Sequence, residues 1–95
     1  MPSQSFVYRT TKRFRRSLEA LTPEQRAMAK AAFRLFRRDP WDPQLGRHII
    51  KELTAAKKQP VWSVWVDDDL RVIFVVDESI ITSLDIGKHA IYKAK

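Results

Sequence analysis

Residues Val61–Tyr92 read VWSVWVDDDLRVIFVVDESIITSLDIGKHAIY and predict three consecutive β-strands. The first, Val61–Val66, alternates beneath two tryptophans, and the second, Leu70–Val76, is apolar apart from one arginine. The third, Ile80–Ile86, alternates again. Two short polar turns, DDD and DES, separate the strands. Turns of this length and composition favour antiparallel hairpins.

The first hairpin assigns side chains to the two faces of the sheet. A three-residue turn, Asp67–Asp69, sets Val66 opposite Leu70 and Trp65 opposite Arg71. One face then forms the core, and its predicted members are Trp62, Val64, Val66, Leu70, Val72, Phe74 and Val76. The other face carries Ser63, Trp65 and Arg71. We expect this second face to stay open unless something binds there.

The facing of the third strand depends on the length of the second turn. If the turn takes all of Asp77–Ser79, Asp85 joins Arg71 on the open face. The residues on the core side are then Ile80, Thr82, Leu84 and Ile86. A two-residue turn would move every side chain of this strand to the opposite face of the sheet, because side chains alternate with a period of two.

Two helices are predicted in the first half of the chain, after a short strand at Ser5–Arg9. Thr10 or Thr11 caps a helix that runs to Glu19 or Ala20. The second helix begins with the capping box Thr22-Pro23-Glu24-Gln25 and runs to about Arg38. Its predicted inward residues are Met28, Ala31, Ala32, Leu35 and Phe36. The short link between the helices predicts an antiparallel hairpin with one apolar face.

The segment between the helices and the sheet is predicted to have little regular structure. His48–Leu53 indicates a short strand or extended piece, and Thr54–Pro60 a polar, lysine-bearing loop. The element order is therefore strand, two helices, and a run of antiparallel strands. This order predicts an α+β domain with the helical hairpin packed on one face of a small, mainly antiparallel sheet.

Length and composition limit the class of protein. A chain of 95 residues suits one domain, 1–95, with a single modest core. No apolar run approaches the roughly 20 residues that cross a bilayer, and the N-terminus lacks a secretory pattern. The chain has no cysteine and two histidines, which argues against a disulfide framework or a thiolate metal site. We therefore expect a cytoplasmic domain without metal or cofactor.

The charge of the chain points to a polyanionic partner. Lys and Arg number 18 against 11 Asp and Glu, which gives a net charge of +7. Ten of the basic residues lie between Arg9 and Arg38, with only Glu19 and Glu24 among them. Any one of these residues fits a solvated helix face. Together they indicate binding to nucleic acid or to an acidic protein.

Several short motifs, in this order and spacing, resemble the RelE/ParE superfamily of bacterial toxins. The resemblance covers essentially the whole chain. The motifs are Phe36-Arg37-Arg38-Asp39-Pro40, Leu45-Gly46-Arg47-His48-Ile49-Ile50-Lys51-Glu52-Leu53, Trp62-Ser63-Val64-Trp65-Val66, Leu70-Arg71-Val72-Ile73-Phe74 and Ile86-Gly87-Lys88-His89-Ala90-Ile91-Tyr92. The resemblance implies a ribosome-dependent mRNA endoribonuclease (an mRNA interferase) and a cognate antitoxin that neutralises it. Operator DNA would be bound only through the toxin–antitoxin complex.

The resemblance also implies roles for individual residues. Arg71 matches the arginine that contacts the scissile phosphate in RelE- and YoeB-type toxins. His89 matches a C-terminal histidine, Tyr92 a C-terminal tyrosine, and His48 and Lys51 a histidine or lysines on the strand after the helices. Trp65 departs from the pattern, since YafQ-type members have a histidine there, and Asp69 matches their acidic residue only roughly.

Metal-free RNA cleavage explains why these residue types are needed. A base removes the 2′-OH proton, a cation stabilises the phosphoryl oxygens, and an acid protonates the leaving 5′ oxygen. We assign Arg71 to the phosphate, His89 to the acid, and His48 or Lys51 to the base or to electrostatic support. Tyr92 and Trp65 would stack on a base or orient it. The RNA-contacting lysines are predicted to be Lys51, Lys57, Lys58 and Lys88.

Other interpretations remain open at this stage. Arg71 also fits a surface ion pair with Asp85 or Glu52, and the triplet Asp67–Asp69 fits a solvated turn better than a metal site. At the level of function, the alternatives are a ParE-like inhibitor of DNA gyrase and a degenerate member that only binds antitoxin. His89 and Tyr92 beside Arg71 favour the nuclease, because a gyrase inhibitor has no chemical use for an imidazole–arginine pair.

Overall fold

The computed structural model describes residues 6–88, apart from the side chain of Glu52. The strands are β1 (Val7–Thr10), β2 (His48–Ile49), β3 (Trp62–Trp65), β4 (Arg71–Asp77) and β5 (Ile80–Gly87). The helices are α1 (Lys12–Glu19), α2 (Pro23–Arg38) and α3 (Lys51–Lys57), with a 3₁₀ turn at Pro43–Leu45. The predicted α+β class is confirmed. No helix within the described range is long and apolar enough to cross a membrane.

The five strands form one sheet in the order β1-β5-β4-β3-β2. β1 pairs with β5 in parallel, and every other pair is antiparallel. The first hairpin has the predicted register, with Trp65 opposite Arg71. The turn is built by Asp67, whose Oδ1 accepts hydrogen bonds from the backbone N–H groups of Asp69 (2.8 Å) and Leu70 (2.6 Å). These bonds satisfy donors that the turn would otherwise leave unpaired.

The second hairpin differs from the three-residue alternative in two ways. Its turn has two residues, because Asp77 pairs with Ile80, and Glu78 takes a left-handed conformation (φ 56°). A β-bulge follows, since Phe74 pairs with Ser83 and the next residue, Ile73, pairs with Asp85. The short turn exchanges the faces toward which the side chains of β5 point, and the bulge, by inserting one residue, exchanges them again.

These exchanges correct the expected facing of β5. Ile81 lies in the main core, whereas Ile80, Thr82 and Leu84, which the longer turn would have placed there, do not. Beyond the bulge, Ile86 lies in the main core as predicted.

The two N-terminal helices pack on one face of the sheet, as predicted. Thr11 caps α1, and the capping box of Thr22 and Gln25 begins α2. The inward stripe of α2 runs through Ala29 and Phe36, so the prediction was right for Phe36 and wrong for Met28, which is 42% exposed, and for Ala31. The main core contains Phe14, Ala29, Phe36, Leu45, Val64, Val72, Phe74, Ile81 and Ile86.

Tyr8 ties β1 to the end of α2. Its hydroxyl donates to the carbonyl oxygens of Phe36 (3.1 Å) and Arg37 (3.3 Å), two of the carbonyls at the C-terminal end of the helix. Burial raises the pKa of the Tyr8 phenol, the nearby Arg37 lowers it and Asp39 raises it. The phenol is therefore protonated at neutral pH and acts as a donor.

The segment before β3 is a helix, not the predicted extended piece and loop. Only His48–Ile49 is strand, and α3 occupies Lys51–Lys57. Leu53 and the preceding Ile50 form a second core on the other face of the sheet with Val61, Ile73 and Val75. The sequence KELTAAK has high helix propensity, and this apolar contact stabilises it as a helix. The face expected to be open is therefore covered along part of its length.

Asp85 is a buried carboxylate that joins β5 to α1. It is 6% exposed, its Oδ2 accepts a hydrogen bond from Arg13 Nε (3.1 Å), and its Oδ1 accepts from the Ser17 hydroxyl and the Ile86 N–H. The suggested ion pair between Arg71 and Asp85 is therefore wrong. These hydrogen bonds tie the end of β5 to α1.

We predict that Asp85→Ala lowers the free energy of unfolding by about 2 kcal/mol, because it leaves the Ser17 hydroxyl and the Ile86 N–H without an acceptor. Arg13→Ala is the matched control. The Arg13 side chain is 73% exposed, so losing its ion pair should lower stability by less than about 1 kcal/mol. Urea unfolding measures both, and an equal loss in the two variants would contradict this account.

Candidate functional site

The pairing register gathers several predicted site residues on the sheet face that also carries α3. His48 pairs with Ser63, Ser63 with Ile73, and Trp65 with Arg71, so these side chains share one face. Ile73 lies beneath α3, whereas Trp65 is 49% exposed. Strand geometry separates the Cα atoms of His48 and Arg71 by roughly 12 Å. Two long side chains can contact one nucleotide across that distance.

Arg71 is held by its own hairpin. Its Nη1 donates to the carbonyl oxygens of Asp67 (2.6 Å) and Leu70 (3.1 Å). Its guanidinium carbon lies 5.0 Å from the centre of the Trp65 ring, which is within the range of a cation–π interaction. Among the carboxylates whose side chains the structure describes, which exclude Glu52, none forms an ion pair with Arg71. The positive charge is therefore anchored without being neutralised there.

Trp65 stands between Arg71 on β4 and Gly46 on the β2 side. Gly46 ends the 3₁₀ turn in a left-handed conformation (φ +59°), and its N–H donates to the Pro43 carbonyl. A Cβ at this position would lie 3.0 Å from Cδ2 of Trp65. Glycine is needed here both for the backbone angle and for the space under the indole.

His48 is exposed, and its ring is oriented by the same turn. Its Nδ1 lies 3.0 Å from the carbonyl oxygen of Gly46. A carbonyl only accepts hydrogen bonds, so Nδ1 carries the proton in this contact. In the neutral ring Nε2 is then the nitrogen with a lone pair, which is the form a general base requires.

The predicted lysines fall at different distances from Arg71. Lys88 is exposed and follows Gly87, the residue paired with Arg71. Lys51 begins α3, three residues after His48, whereas Lys57 ends it and Lys58 caps it in a left-handed conformation (φ 57°). A helix of this length places its two ends about 10 Å apart. Lys88 therefore lies beside the paired residues Arg71 and Gly87. Lys57 and Lys58 lie at the opposite end of α3 from Lys51.

A cation–aromatic stack, which sequence reasoning missed, positions the segment that carries Gly46 and His48. The Arg47 guanidinium carbon lies 4.4 Å from the ring centre of Trp41 and 5.2 Å from that of Trp62. The two tryptophan rings are 6.0 Å apart. The signal in the sequence was a pair of tryptophans flanking an arginine, but their contact depends on the sheet register.

Solved structures match the fold of this chain over nearly its whole length. YafQ from E. coli matches with a TM-score of 0.70 and 12% identity, over 94% of this chain and 99% of YafQ. A chain of the archaeal RelE–RelB complex from Pyrococcus horikoshii matches with a TM-score of 0.67 and 12% identity, over 90% of this chain and 96% of that one. The chain has the RelE/YafQ toxin fold.

Further matches extend the comparison to toxin–antitoxin complexes. A chain of the RelBE2 complex of Mycobacterium tuberculosis has a TM-score of 0.66 and 18% identity, over 90% of this chain and 100% of that one. The E. coli DinJ–YafQ toxin–antitoxin complex also matches. Comparison of the sequence with models of protein families and with curated proteins gives no match. At these identities the likeness shows the RelE/YafQ fold itself.

Two of the predicted residues lie outside the part of the RelE/YafQ fold that is described. These are His89, assigned as general acid, and Tyr92. Among the His, Asp and Glu side chains that the structure describes, no three are close enough together to hold a metal ion. The triplet Asp67–Asp69 forms the turn of the first hairpin, with the carboxylate of Asp67 bound to backbone N–H groups.

We predict that Gly46→Ala destabilises the protein by about 1–2 kcal/mol, through the left-handed backbone angle and the contact with Trp65. In a Trp65→Ala background, only the destabilisation caused by the left-handed backbone angle of residue 46 should remain. Lys58→Gly is the matched control, because Lys58 has a similar angle. It should stabilise the protein by an amount close to that remaining destabilisation. Chemical unfolding of the four variants tests this, and an unchanged Gly46→Ala penalty without Trp65 would contradict it.

Proposed function

We propose that this protein is the toxin of a toxin–antitoxin system and cleaves mRNA on the ribosome, in the cytoplasm, without a metal ion. The observation that carries the proposal is the state of Arg71. It is part-buried, fixed by two carbonyls and an indole ring, and without an ion pair to any described carboxylate. A fold gains little from such an anchored, unneutralised cation, whereas a phosphate-binding site requires one.

The neighbours of Arg71 support cleavage as well as binding. In the proposed reaction His48 Nε2 takes the 2′-OH proton, and the 2′ oxygen attacks phosphorus while Arg71 stabilises the phosphoryl oxygens. His89 gives its proton to the departing 5′ oxygen. The products are a 2′,3′-cyclic phosphate and a 5′-OH. Lys51 would add positive charge near His48, and Tyr92 would orient the nucleotide.

The remaining cations would guide the RNA. Lys88 lies next to the proposed phosphate site, and Lys57 and Lys58 lie at the end of α3, one helix length from Lys51. Phosphate contacts of this kind position a strand without reading its sequence. The partners under this proposal are the ribosome and its mRNA. A cognate antitoxin would oppose the net charge of +7 with an acidic or amphipathic segment.

The test is primer extension on a reporter mRNA in a reconstituted translation reaction. We predict codon-phased cuts that require ribosomes. Arg71→Ala should reduce the cleavage rate by about 100-fold or more, since it removes the charge on the phosphate. His48→Ala and His89→Ala should each reduce the rate by about 100-fold or more as well, since each removes a proton-transfer group. Arg71→Lys should recover only part of the loss, because lysine lacks the planar fork.

Arg38→Ala is the matched control. Arg38 is exposed at the end of α2, so Arg38→Ala changes the net charge of the protein by the same amount as Arg71→Ala. Because an exposed charge contributes little by itself, the cleavage rate should stay within about twofold of that of the unmodified protein. Intact mRNA with the unmodified protein would refute the nuclease proposal. A gyrase supercoiling assay would then separate a ParE-like inhibitor from a protein that binds only antitoxin.

A further inference from the structure

The guanidinium of Arg71 has one edge committed to the protein and another available. An arginine carries five N–H donors, two of them on Nη1. Both Nη1 donors have acceptors, in the carbonyl oxygens of Asp67 (2.6 Å) and Leu70 (3.1 Å). Within the described range, Nε and Nη2 have no hydrogen-bond partner. Nε–H and one Nη2–H point in parallel, which suits two oxygens of one phosphate.

The Trp65 ring adds a further contact to the guanidinium of Arg71. The two carbonyls hold only the Nη1 corner, so by themselves they leave the guanidinium able to tilt. The indole lies 5.0 Å from the guanidinium carbon, and a planar cation stacks most favourably on a flat aromatic face. Two hydrogen bonds and one cation–π contact therefore hold the direction in which Nε and Nη2 point.

Trp65 is itself backed by Gly46. The Gly46 backbone approaches the ring so closely that a Cβ would lie 3.0 Å from Cδ2 and 3.3 Å from Cε2. Gly46 lies on the β2 side of Trp65 and Arg71 on the β4 side, because β3 runs between those two strands. The ring thus has a neighbour on each flank.

We propose that Trp65 is a positioning residue, which acts on the RNA through Arg71 and not by stacking on a base. It holds the Arg71 guanidinium so that Nε and Nη2 meet the two non-bridging oxygens of a phosphodiester. This inference rests on the proposed function for its substrate, and its geometry is testable without that function.

The first test is NMR of protein labelled with ¹⁵N-arginine, with the Arg71 Nε–H signal assigned by its loss in Arg71→Lys. In the unmodified protein and in Trp65→Phe this signal should be shifted upfield by the aromatic ring. In Trp65→Leu, which keeps an apolar side chain without a ring, the shift should disappear. An Arg71 signal that is the same in Trp65→Leu as in the unmodified protein would overturn the proposal, whether or not the protein cleaves RNA.

The second test is single-turnover cleavage on programmed ribosomes at increasing protein concentration. We expect Trp65→Leu to lower the maximal rate by about 100-fold, the size of effect that misplacing a catalytic group by about 1 Å produces. The half-saturating concentration should stay within about twofold, and Trp65→Phe should restore most of the rate. These results are expected because stacking on a flat ring is retained in phenylalanine.

The two failures are distinguishable. A raised half-saturating concentration with an unchanged maximal rate in Trp65→Leu would show a direct RNA contact and overturn the positioning role. If the unmodified protein cleaves no mRNA, the proposed function fails. In that case the NMR result alone decides whether Trp65 positions Arg71.

Discussion

Strand β4 is buried on both of its faces, and the rest of the fold is arranged to satisfy that requirement. The four residues after Arg71 are all buried, two of them in each core. A strand with apolar side chains on both faces needs a packed layer on each side. α1 and α2 supply one layer, and the single short helix α3 supplies the other. Because α3 has seven residues, its layer is short, and the Arg71 end of β4 lies where the sheet becomes accessible.

The bulge in β5 returns the end of the strand to the main core. Alternation from Ile81 places Leu84 on the side of the second core, and it would place Ile86 there as well. The residue inserted at Leu84 brings Ile86 back to the main core instead. Beside the bulge, the Asp85 carboxylate accepts hydrogen bonds from Arg13 and Ser17 and so ties β5 to α1.

Arg13 on α1 and Arg71 on β4 illustrate different uses of an arginine. Arg13 has a carboxylate partner and lies on the surface, where it helps to hold a helix. Arg71 has two backbone carbonyls and an aromatic ring instead, which fix its position while its charge remains available. Arg47 adds a third case, in which two indole rings hold a guanidinium and so position the turn beside it. This difference in partners separates a structural arginine from a candidate phosphate ligand.

The sequence by itself determined the local features of this protein. The capping box of Thr22 and Gln25, the first hairpin with Trp65 opposite Arg71, and the α+β class all follow from capping, turn and alternation rules that act over a few residues.

The sequence did not determine which face of α2 is buried, the facing of β5, the helix at 51–57 or the contact between Gly46 and Trp65. Each of these depends on residues distant in the chain. The segment KELTAAK forms a helix because Ile50 and Leu53 can pack on Ile73 and Val75. The position of Trp65 depends on Gly46, which sheet pairing brings next to the ring. Only the tertiary structure decided these features, because long-range packing outweighs local preferences that differ by about 1 kcal/mol or less per residue.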